Sequence, residues 1–528
     1  MLERDVLPPH AVARWAARTP SATAIQHVDG TRLRYGELHA QGLAWARALA
    51  GLGVAATTHV ASLLPNGDLG HRALLGLSWL RAIEVPLNPA YVGGMLEHAL
   101  LLSDSEYLLT VPALLGNVRP LLARLPRLHT IVLAEGEAGQ VPGKRVISAA
   151  GFAAAGEAAP ADATFAGPEV WDVACLLFTS GTTGPSKAVI TPWGLSVQMW
   201  SWVPPDTIGP GEGLFMPLPL FHNSGRSGFA YVMASGGRFV HRDRFSATSF
   251  WPDVRRTDCR AAALVGPMTR LLWSAPLADD DADNPLRAVI IGPMIPEMEE
   301  FKKRFGVKVA TCYGQTEVGA PLATSWEHGP WQATGRQRDS YPGFEVRLVD
   351  AHDRPVADGE VGELAVRANE PWGLSLGYYK MPDESLRAWR NGWFHTGDMF
   401  TRDAGGNHTF FDRRRDVIRR RGENISSFEV EREVGNHPDV IECVAIAVPS
   451  GVGDDEVLAA VIVKDPATFA PASLIAFLAG RMPAFMIPRF VRVMPDFPRN
   501  ATTARVRKDE LRAMVLTDQG WDRLSAEA

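Results

Sequence analysis

The 528-residue sequence is poor in cysteine and carries no excess of positive charge. Its four cysteines lie far apart and form no Cys-x-x-Cys pair, so neither a zinc site nor a disulfide framework is indicated. We therefore expect a reducing compartment, the cytoplasm. The formal net charge of −6 offers no basic surface to a nucleic acid, and we expect no nucleic-acid partner.

Long apolar runs are also missing. Residues 1–14 carry charges at Glu3, Arg4 and Asp5 and have no apolar core of the length that a signal peptide or a membrane span requires. We therefore expect neither export nor a membrane-spanning segment. The sequence does not indicate an oligomeric state.

The composition that remains is typical of a large globular protein, with 46% hydrophobic and 21% charged residues. A chain of this length predicts two to four structural units. Helical spacing over residues 36–50 and 71–83 alternates with short apolar runs such as Val85–Leu87. This alternation predicts an α/β layered fold with largely parallel strands.

The most informative stretch runs from Leu176 to Lys187. An apolar run, typical of a buried strand, breaks into hydroxyl residues and glycines and closes on the lysine. Glycines let the backbone approach a ligand, hydroxyls donate to phosphate oxygens, and Lys187 supplies a point cation. An ordinary turn has a similar composition, and Pro185 and Ser186 depart from the Walker pattern. The candidate nucleotide-binding residues here are Thr179, Ser180, Gly181, Thr182, Thr183, Gly184 and Lys187.

This run resembles the signature loop of the adenylate-forming superfamily, which comprises acyl- and aryl-CoA synthetases, peptide-synthetase adenylation domains and luciferases. The resemblance covers nearly the whole chain and looks closest to fatty-acid or aryl-acid CoA ligases. It departs from the usual pattern at Ala188, where a glycine commonly follows the lysine. The resemblance implies a large N-terminal domain of layered, largely parallel α/β sheets, residues 1–414, and a small mobile C-terminal α+β domain, residues 415–528.

Two later segments resemble nucleotide-contacting motifs of this superfamily. The apolar strand Ala288–Gly292 resembles the adenine-pocket strand, in which Gly292 gives the base room. Residues 310–317 suggest a second strand that ends in polar groups, at the kind of strand end where parallel sheets bind ligands.

This second segment contains the motif Tyr-Gly-x-Thr-Glu, with Gly314 as its glycine. The resemblance implies that Tyr313 packs on adenine, that Thr316 contacts the α-phosphate, and that Glu317 coordinates Mg²⁺. A carboxylate is a ligand type that magnesium prefers. Standing alone, a Thr-Glu pair is equally typical of a helix N-terminus.

Three more residues are candidates by resemblance. Asp398, in a Thr-Gly-Asp element, is expected to accept hydrogen bonds from both ribose hydroxyls, and Arg413 is expected to pair with ribose or phosphate oxygens. His222 falls in a segment that borders the acyl pocket in the family. An isolated histidine is usually structural, and the basic run 413–415 alone is typical of a solvated turn.

The C-terminal part carries the remaining expectations. Arg415 occupies the family's hinge position. The segment with Gly422, Glu423 and Asn424 resembles the one that frames the pantetheine tunnel in CoA ligases, which favours a thiol acceptor.

Near the end, Arg505 stands where the family has a catalytic lysine, and another register would place Ala504 there. Arginine keeps the charge but presents a planar fork, so the exchange is not conservative at a site that needs a point cation.

These features predict an AMP-forming ligase that uses ATP and Mg²⁺ to activate a small-molecule acid and transfers it most readily to coenzyme A. Thr316, Glu317, Lys187, His222 and Arg505 are its candidate catalytic residues. An amine acceptor or an atypical acid such as nitrite, which would give a diazo product, is one alternative. A catalytically silent nucleotide-binding protein is another.

Overall fold

We describe the chain from a computed structural model. The structure describes residues 3–137, 139–158, 164–179, 186–326, 330–339, 343–413, 416–420, 423–449, 455–479, 481–482, 484–499, 506–516 and 518–526. At positions 419, 423, 424 and 526 it describes the backbone alone.

The first part of the chain alternates helices and short strands. The elements are a 3-10 helix (Arg4–Val6), α1 (Pro8–Arg18), β1 (Thr23–His27), β2 (Arg32–Arg34), α2 (Tyr35–Gly51), β3 (His59–Leu63), α3 (Asp68–Trp79), β4 (Ile83–Pro86), α4 (Gly93–Leu102), β5 (Tyr107–Thr110), α5 (Pro112–Val118), a second 3-10 helix (Arg119–Arg124), β6 (Thr130–Leu133), β7 (Arg145–Ile147), α6 (Ala149–Ala158) and β8 (Val173–Thr179).

The same alternation continues to residue 310. The elements are β9 (Lys187–Pro192), α7 (Trp193–Trp200), β10 (Gly213–Phe215), α8 (Asn223–Ser235), β11 (Arg238–His241), α9 (Ala247–Thr257), β12 (Cys259–Val265), α10 (Gly266–Trp273), β13 (Ala288–Gly292), α11 (Met298–Phe305) and β14 (Lys308–Ala310).

Strands then dominate as far as residue 413, and a mixed region follows. The strand-rich part has β15 (Cys312–Gln315), β16 (Gly319–Ala323), β17 (Ala333–Gln337), β18 (Phe344–Val349), β19 (Gly362–Ala368), α12 (Pro382–Ala388), β20 (Trp389–Arg390), β21 (Trp393–Arg402) and β22 (His408–Arg413). The last part has β23 (Ile418–Arg420), β24 (Glu423–Ile425), α13 (Ser427–Gly435), β25 (Val440–Pro449), β26 (Asp455–Val463), α14 (Pro471–Leu478), β27 (Phe490–Val493), α15 (Lys508–Val515), β28 (Trp521–Asp522) and α16 (Arg523–Ala526).

Two mostly parallel sheets form the centre of the large unit. Sheet I has the strand order β7-β6-β5-β3-β4-β8-β9, and sheet II has the order β14-β13-β12-β10-β11-β1-β2. Antiparallel pairs occur at one edge of each, between β8 and β9 and between β1 and β2. Strands β4, β5 and β6 are buried along their whole length, as expected for parallel strands covered by helices on both faces.

Sheet III is antiparallel and has the order β15-β16-β17-β22-β21-β19-β18, with β20 paired to β21. After it, β23 and β24 form a two-stranded ribbon, and β25 to β28 form a small mixed sheet against α13, α14 and α15. The predicted fold class is confirmed. No helix within the described ranges is both long and apolar enough to cross a bilayer.

Two sequence-based boundaries are wrong. The helix expected over residues 71–83 ends at Trp79, and Ile83 begins β4, because its side chain packs in the buried sheet rather than on a helix face. The single strand expected over residues 310–317 is two strands. β14 ends the parallel sheet II at Ala310, and β15 begins the antiparallel sheet III.

Candidate functional site

A cavity of about 550 Å³ lies where sheet I, sheet III and the start of α8 approach each other. The strands β8, β9, β15, β21 and β22 each bring at least one residue to its wall, although more than 200 positions separate the first from the last. Seven of the sequence-based candidates line it, namely Thr179, Lys187, His222, Gly314, Thr316, Glu317 and Arg413.

The start of the candidate phosphate loop is set by the β8–β9 pair. These strands are antiparallel, and Thr179 lies opposite Lys187 in their register. The hydroxyl of one and the ammonium of the other are therefore held at the same end of the ribbon, beside the cavity. Five candidates, Ser180, Gly181, Thr182, Thr183 and Gly184, lie outside the described residues.

Lys187 has two partners in the cavity wall. Its Nζ donates to Glu384 Oε2 at 2.5 Å and lies 4.7 Å from the centre of the Tyr378 ring. The hydrogen bond from this ammonium lowers the pKa of the Glu384 carboxyl. A phosphate that binds Lys187 must therefore compete with a carboxylate supplied by the start of α12.

Glu317 projects into the same cavity from the turn after β15. Tyr378 Oη donates to Glu317 Oε1 at 3.0 Å. Burial raises the pKa of the Glu317 carboxyl, and the Tyr378 hydrogen bond partly opposes that rise. A half-buried carboxylate beside a lysine fits a site for Mg²⁺, which takes a few protein oxygens and completes its shell with phosphate oxygens and water.

Asp398 lies on β21 behind the cavity wall, and its carboxylate meets side chains of β15 and β22. Its Oδ2 accepts from Tyr313 Oη and from Gln315 Nε2, each at 2.7 Å, and Arg413 Nε lies 3.4 Å from its Oδ1. The residue is only 4% exposed, and its neighbours Thr396 and Gly397 line the cavity. A carboxylate offers about four acceptor positions, so Asp398 can still accept from a ligand hydroxyl.

Tyr313 joins sheet III to this carboxylate. Its ring meets Phe400 edge to face, with 4.8 Å between ring centres. Burial keeps the pKa of the phenol well above its ordinary value, so the hydroxyl remains a donor. The next residue must be small, because a Cβ at Gly314 would lie 2.5 Å from the Gly319 carbonyl oxygen on the neighbouring strand.

His222 combines a structural contact with a place at the cavity. It is the residue before α8, and its Nδ1 accepts from the Ser224 backbone N–H at 3.2 Å, as an N-cap does. Desolvation at the cavity lowers the pKa of its imidazole.

Gly292 belongs to a second, smaller cavity of about 150 Å³. This apolar cavity shares Met199 and Ser224 with the first, so the two adjoin. Its other walls come from α7, β10, α8, β12, β13 and β15 and from residues that follow α7 and β10. They include Trp200, Trp202, Met216, Tyr231, Val265 and Ile290. Among the described residues that line it, none carries a charge.

A network of hydrogen bonds and ion pairs in the wall of the first cavity was not anticipated from the sequence. Glu363 Oε1 accepts from the Gly397 backbone N–H at 3.0 Å, and its Oε2 lies 3.3 Å from His395 Nδ1 and 3.1 Å from an Arg390 nitrogen. The network fixes the bend that presents Asp398. Tyr378 and Glu384 were missed as well. The glycine before the Tyr378–Tyr379 pair was a turn signal, whereas an acidic residue at a helix start is too common to mark a site.

The candidate residues of the C-terminal part are described only by backbone or lie outside the described residues. Arg415, Gly422 and Arg505 lie outside the described residues. Glu423 and Asn424 are described by their backbone alone, which forms the β24 side of the ribbon with β23. Ser426, after this ribbon, donates to the Phe411 carbonyl, so the ribbon lies next to the end of sheet III.

The layered α/β unit, its strand-end cavity and the small C-terminal unit define an enzyme of the adenylate-forming class. The family model described as "AMP-binding enzyme" matches residues 12–379, and the one described as "AMP-binding enzyme C-terminal domain" matches residues 429–503. The chain belongs to the AMP-binding enzyme family.

Known proteins resemble this chain in sequence and in fold over most of its length. A crotonobetaine/carnitine–CoA ligase of Salmonella enteritidis PT4 is 29% identical over 447 residues, which cover 82% of this chain and 84% of that protein. The structure of ATP-bound MatB from Rhodopseudomonas palustris matches with a TM-score of 0.81 at 22% identity, over 97% of this chain and 99% of that one. The o-succinylbenzoate CoA synthetase of Bacillus subtilis, in complex with ATP and a magnesium ion, matches with a TM-score of 0.79 at 22% identity, over 94% and 98%.

The expectation of an AMP-forming acid ligase of the acyl-CoA synthetase type is confirmed. ATP, Mg²⁺ and coenzyme A are the cofactors of this class, and a small-molecule acid is its substrate. The silent-binding alternative is set aside, because the family is one of enzymes.

Proposed function

We propose that this enzyme ligates a carboxylic acid to coenzyme A. Apart from its reacting carboxylate, this acid carries no charged group, and it is about the size of one aromatic ring. The observation that carries the proposal is the apolar cavity of about 150 Å³ that opens beside the polar one. An engineered cavity of about this volume, lined by apolar side chains, accepts benzene. A charged group on the far end of the acid would find no described charged side chain in this wall and would lose its hydration without compensation.

In this proposal the polar cavity holds the triphosphate and the reacting carboxylate. Lys187 supplies positive charge, Glu317 is the protein ligand of Mg²⁺, and Thr179 and Thr316 donate hydroxyl hydrogen bonds. Bound magnesium would neutralise phosphate charge as the acid attacks the α-phosphorus and pyrophosphate leaves. Asp398 and Arg413 would orient the ribose, with Tyr313 at the base.

A second candidate substrate is an acid that carries a quaternary ammonium group. Trp200 and Tyr231 lie in the apolar wall with their ring centres 5.9 Å apart and their planes at 54°. Aromatic faces attract such cations without a carboxylate partner. The Salmonella relative named for crotonobetaine and carnitine acts on acids of this kind.

The C-terminal unit is proposed to serve the second step. We place the domain boundary after residue 414 and the hinge at Arg415, because two unlike reactions must share one site. The thiol of coenzyme A would enter past the segment with Gly422, Glu423 and Asn424. We also propose a cytoplasmic location. The cysteines are free, as expected in a reducing compartment.

Arg505 is proposed to reach the reacting carboxylate from this unit. If its fork is matched to the true acid, Arg505→Lys will slow adenylation, because lysine cannot offer two parallel N–H donors. If lysine serves better, the same change will speed pyrophosphate exchange, and a tenfold gain corresponds to about 1.4 kcal/mol. Equal rates for Arg, Lys and Ala at this position would exclude a role in adenylation.

The substrate proposal is tested by AMP release from the full chain with a panel of acids, with and without coenzyme A. Benzoate, a short branched aliphatic acid, malonate and a betaine-type acid separate the possibilities. We expect CoA-dependent turnover with the ring-sized or branched acid and little with malonate. Preference for the betaine would select the second candidate, and preference for malonate would contradict both. AMP release with an amine in place of coenzyme A would revive the alternative acceptor.

A further inference from the structure

Two histidines lie side by side at an edge of sheet II, away from both cavities. His27 ends β1, His241 ends β11, and the two residues are partners in the parallel register of these strands. Their ring centres are 5.1 Å apart. Neither residue lines the polar or the apolar cavity, so this pair is not part of the site described above.

Three carboxylates converge on the pair, two from loops and one from the start of α3. Asp243 Oδ1 lies 3.5 Å from His27 Nε2, Asp29 Oδ1 lies 3.0 Å from His27 Nδ1, and Asp68 Oδ1 lies 3.8 Å from His241 Nε2. One ligand atom from each of His27, His241 and Asp243 lies within 4.8 Å of the other two. Small side-chain movements would bring these three atoms around one ion.

The inner histidine, His241, has a buried nitrogen without a hydrogen-bond partner. His241 is only 6% exposed, and its Nε2 is buried without a hydrogen-bond partner. The nearest carboxylate oxygen given above, that of Asp68, is beyond hydrogen-bonding distance. A buried polar atom without a partner is costly, and native structures rarely tolerate one without a reason. A metal ion at this nitrogen would supply the missing partner.

The outer histidine is arranged to present its Nε2. Its Nδ1 faces both the Asp29 carboxylate at 3.0 Å and the Asp29 backbone N–H at 3.3 Å. When Nδ1 carries the proton, it donates to the Asp29 carboxylate. The lone pair of Nε2 is then directed at Asp243. A carboxylate behind a ligating imidazole is the usual way in which proteins orient a histidine ligand and raise its basicity.

We propose that His27, His241 and Asp243 form a binding site for a divalent transition metal, with zinc as the expected ion. Two imidazoles and a carboxylate form a nitrogen and oxygen donor set that suits zinc and its neighbours in the series, whereas Mg²⁺ and Ca²⁺ favour oxygen alone. Water would complete the shell, because Asp243 is 71% exposed. The ion would tie the ends of β1 and β11 together and stabilise the folded chain.

The test uses the full chain after chelator treatment and dialysis. Isothermal titration with Zn²⁺ alone is expected to show one equivalent bound per chain, and thermal denaturation is expected to shift upward with zinc but not with equimolar Mg²⁺. Asp243→Asn and His27→Gln are expected to abolish the zinc heat. Both side chains reach the surface, so these variants are expected to fold where a change of buried His241 risks misfolding.

His129→Gln is the matched control. His129 also pairs with a carboxylate, with Nε2 at 3.8 Å from Glu106 Oε2, but it has no second histidine partner in the described clusters. The control is expected to bind zinc like the parent. Asp29→Asn should weaken zinc binding by roughly ten- to hundredfold, the usual cost of losing a partner behind a ligating histidine. Absence of zinc binding by the parent, or full binding by both Asp243→Asn and His27→Gln, would overturn the proposal.

Discussion

The two adjoining cavities differ in the polarity of the residues that line them. In the polar cavity, charged groups are already engaged with one another. Lys187 holds Glu384, and Glu317 accepts from Tyr378. The apolar cavity next to it has aromatic and aliphatic walls in which no described residue is charged. The difference indicates that nucleotide chemistry and substrate choice depend on separate sets of residues. Mutations in one cavity wall should therefore leave the function of the other cavity intact.

The largest effect is expected at Lys187. Lys187→Ala removes the cation that we propose faces the phosphates, and loss of one stabilising group of this kind typically costs about 10²–10³-fold in rate. Pyrophosphate exchange measures the adenylation step directly. Lys380→Ala is the control, because Lys380 pairs with Asp104 and does not line the cavity. Equal rates for the two variants would contradict the role given to Lys187.

Asp398 is expected to govern ATP affinity next. Asp398→Asn removes the negative charge and places an amide N–H₂ opposite the donors Tyr313 and Gln315. Loss of a charge-assisted hydrogen bond costs about 1.5–3 kcal/mol, which corresponds to roughly ten- to hundredfold weaker ATP binding. Asp403→Asn, in the exposed turn of the same hairpin, should bind ATP like the parent.

The apolar wall is tested at Gly228. A Cβ at this position would lie 2.0 Å from Met216 Cε, so Gly228→Ala must displace the end of the Met216 side chain, and both residues line the cavity. We expect the KM for the preferred acid to rise about tenfold, near the lower end of what one methylene changes in an apolar pocket. ATP affinity should not change. Gly435→Ala on α13, where a Cβ meets no atom within 4 Å, is the control.

Sequence reasoning located the segments of the site better than their contacts. The β8–β9 ribbon and the motif at Tyr313 to Glu317 were visible because local composition marks a strand that ends in ligand-type residues. The pairing of Lys187 with Glu384 was not, because it joins two segments 197 positions apart and depends on how α12, which packs on β20 and β21 of sheet III, approaches β9 of sheet I. Nothing local at Glu384 distinguishes it from an ordinary first-turn acid.

The strand boundaries failed for a related reason. Residues 310–317 look like one continuous strand, yet β14 and β15 belong to different sheets. The close approach of Gly314 to Gly319 lets β15 fold back on β16 in sheet III. A pattern of apolar residues records burial, but it does not record which sheet buries them.

The smallest expected effect is a shift in pH dependence, and it is confined to the polar cavity. In the proposed role Glu317 must be ionised to hold Mg²⁺, and burial raises its pKa. Adenylation should therefore fall on the acid side as pH drops through a value above the ordinary carboxyl pKa.

The hydrogen bond from Tyr378 lowers the pKa of the Glu317 carboxyl. Tyr378→Phe removes it, so the acid limb of the pyrophosphate-exchange profile should move to higher pH. Tyr379→Phe is the matched control, because that hydroxyl donates to Asp104 and does not line the cavity. An unchanged limb in Tyr378→Phe, or the same shift in both variants, would mean that Tyr378 does not tune the Glu317 carboxylate.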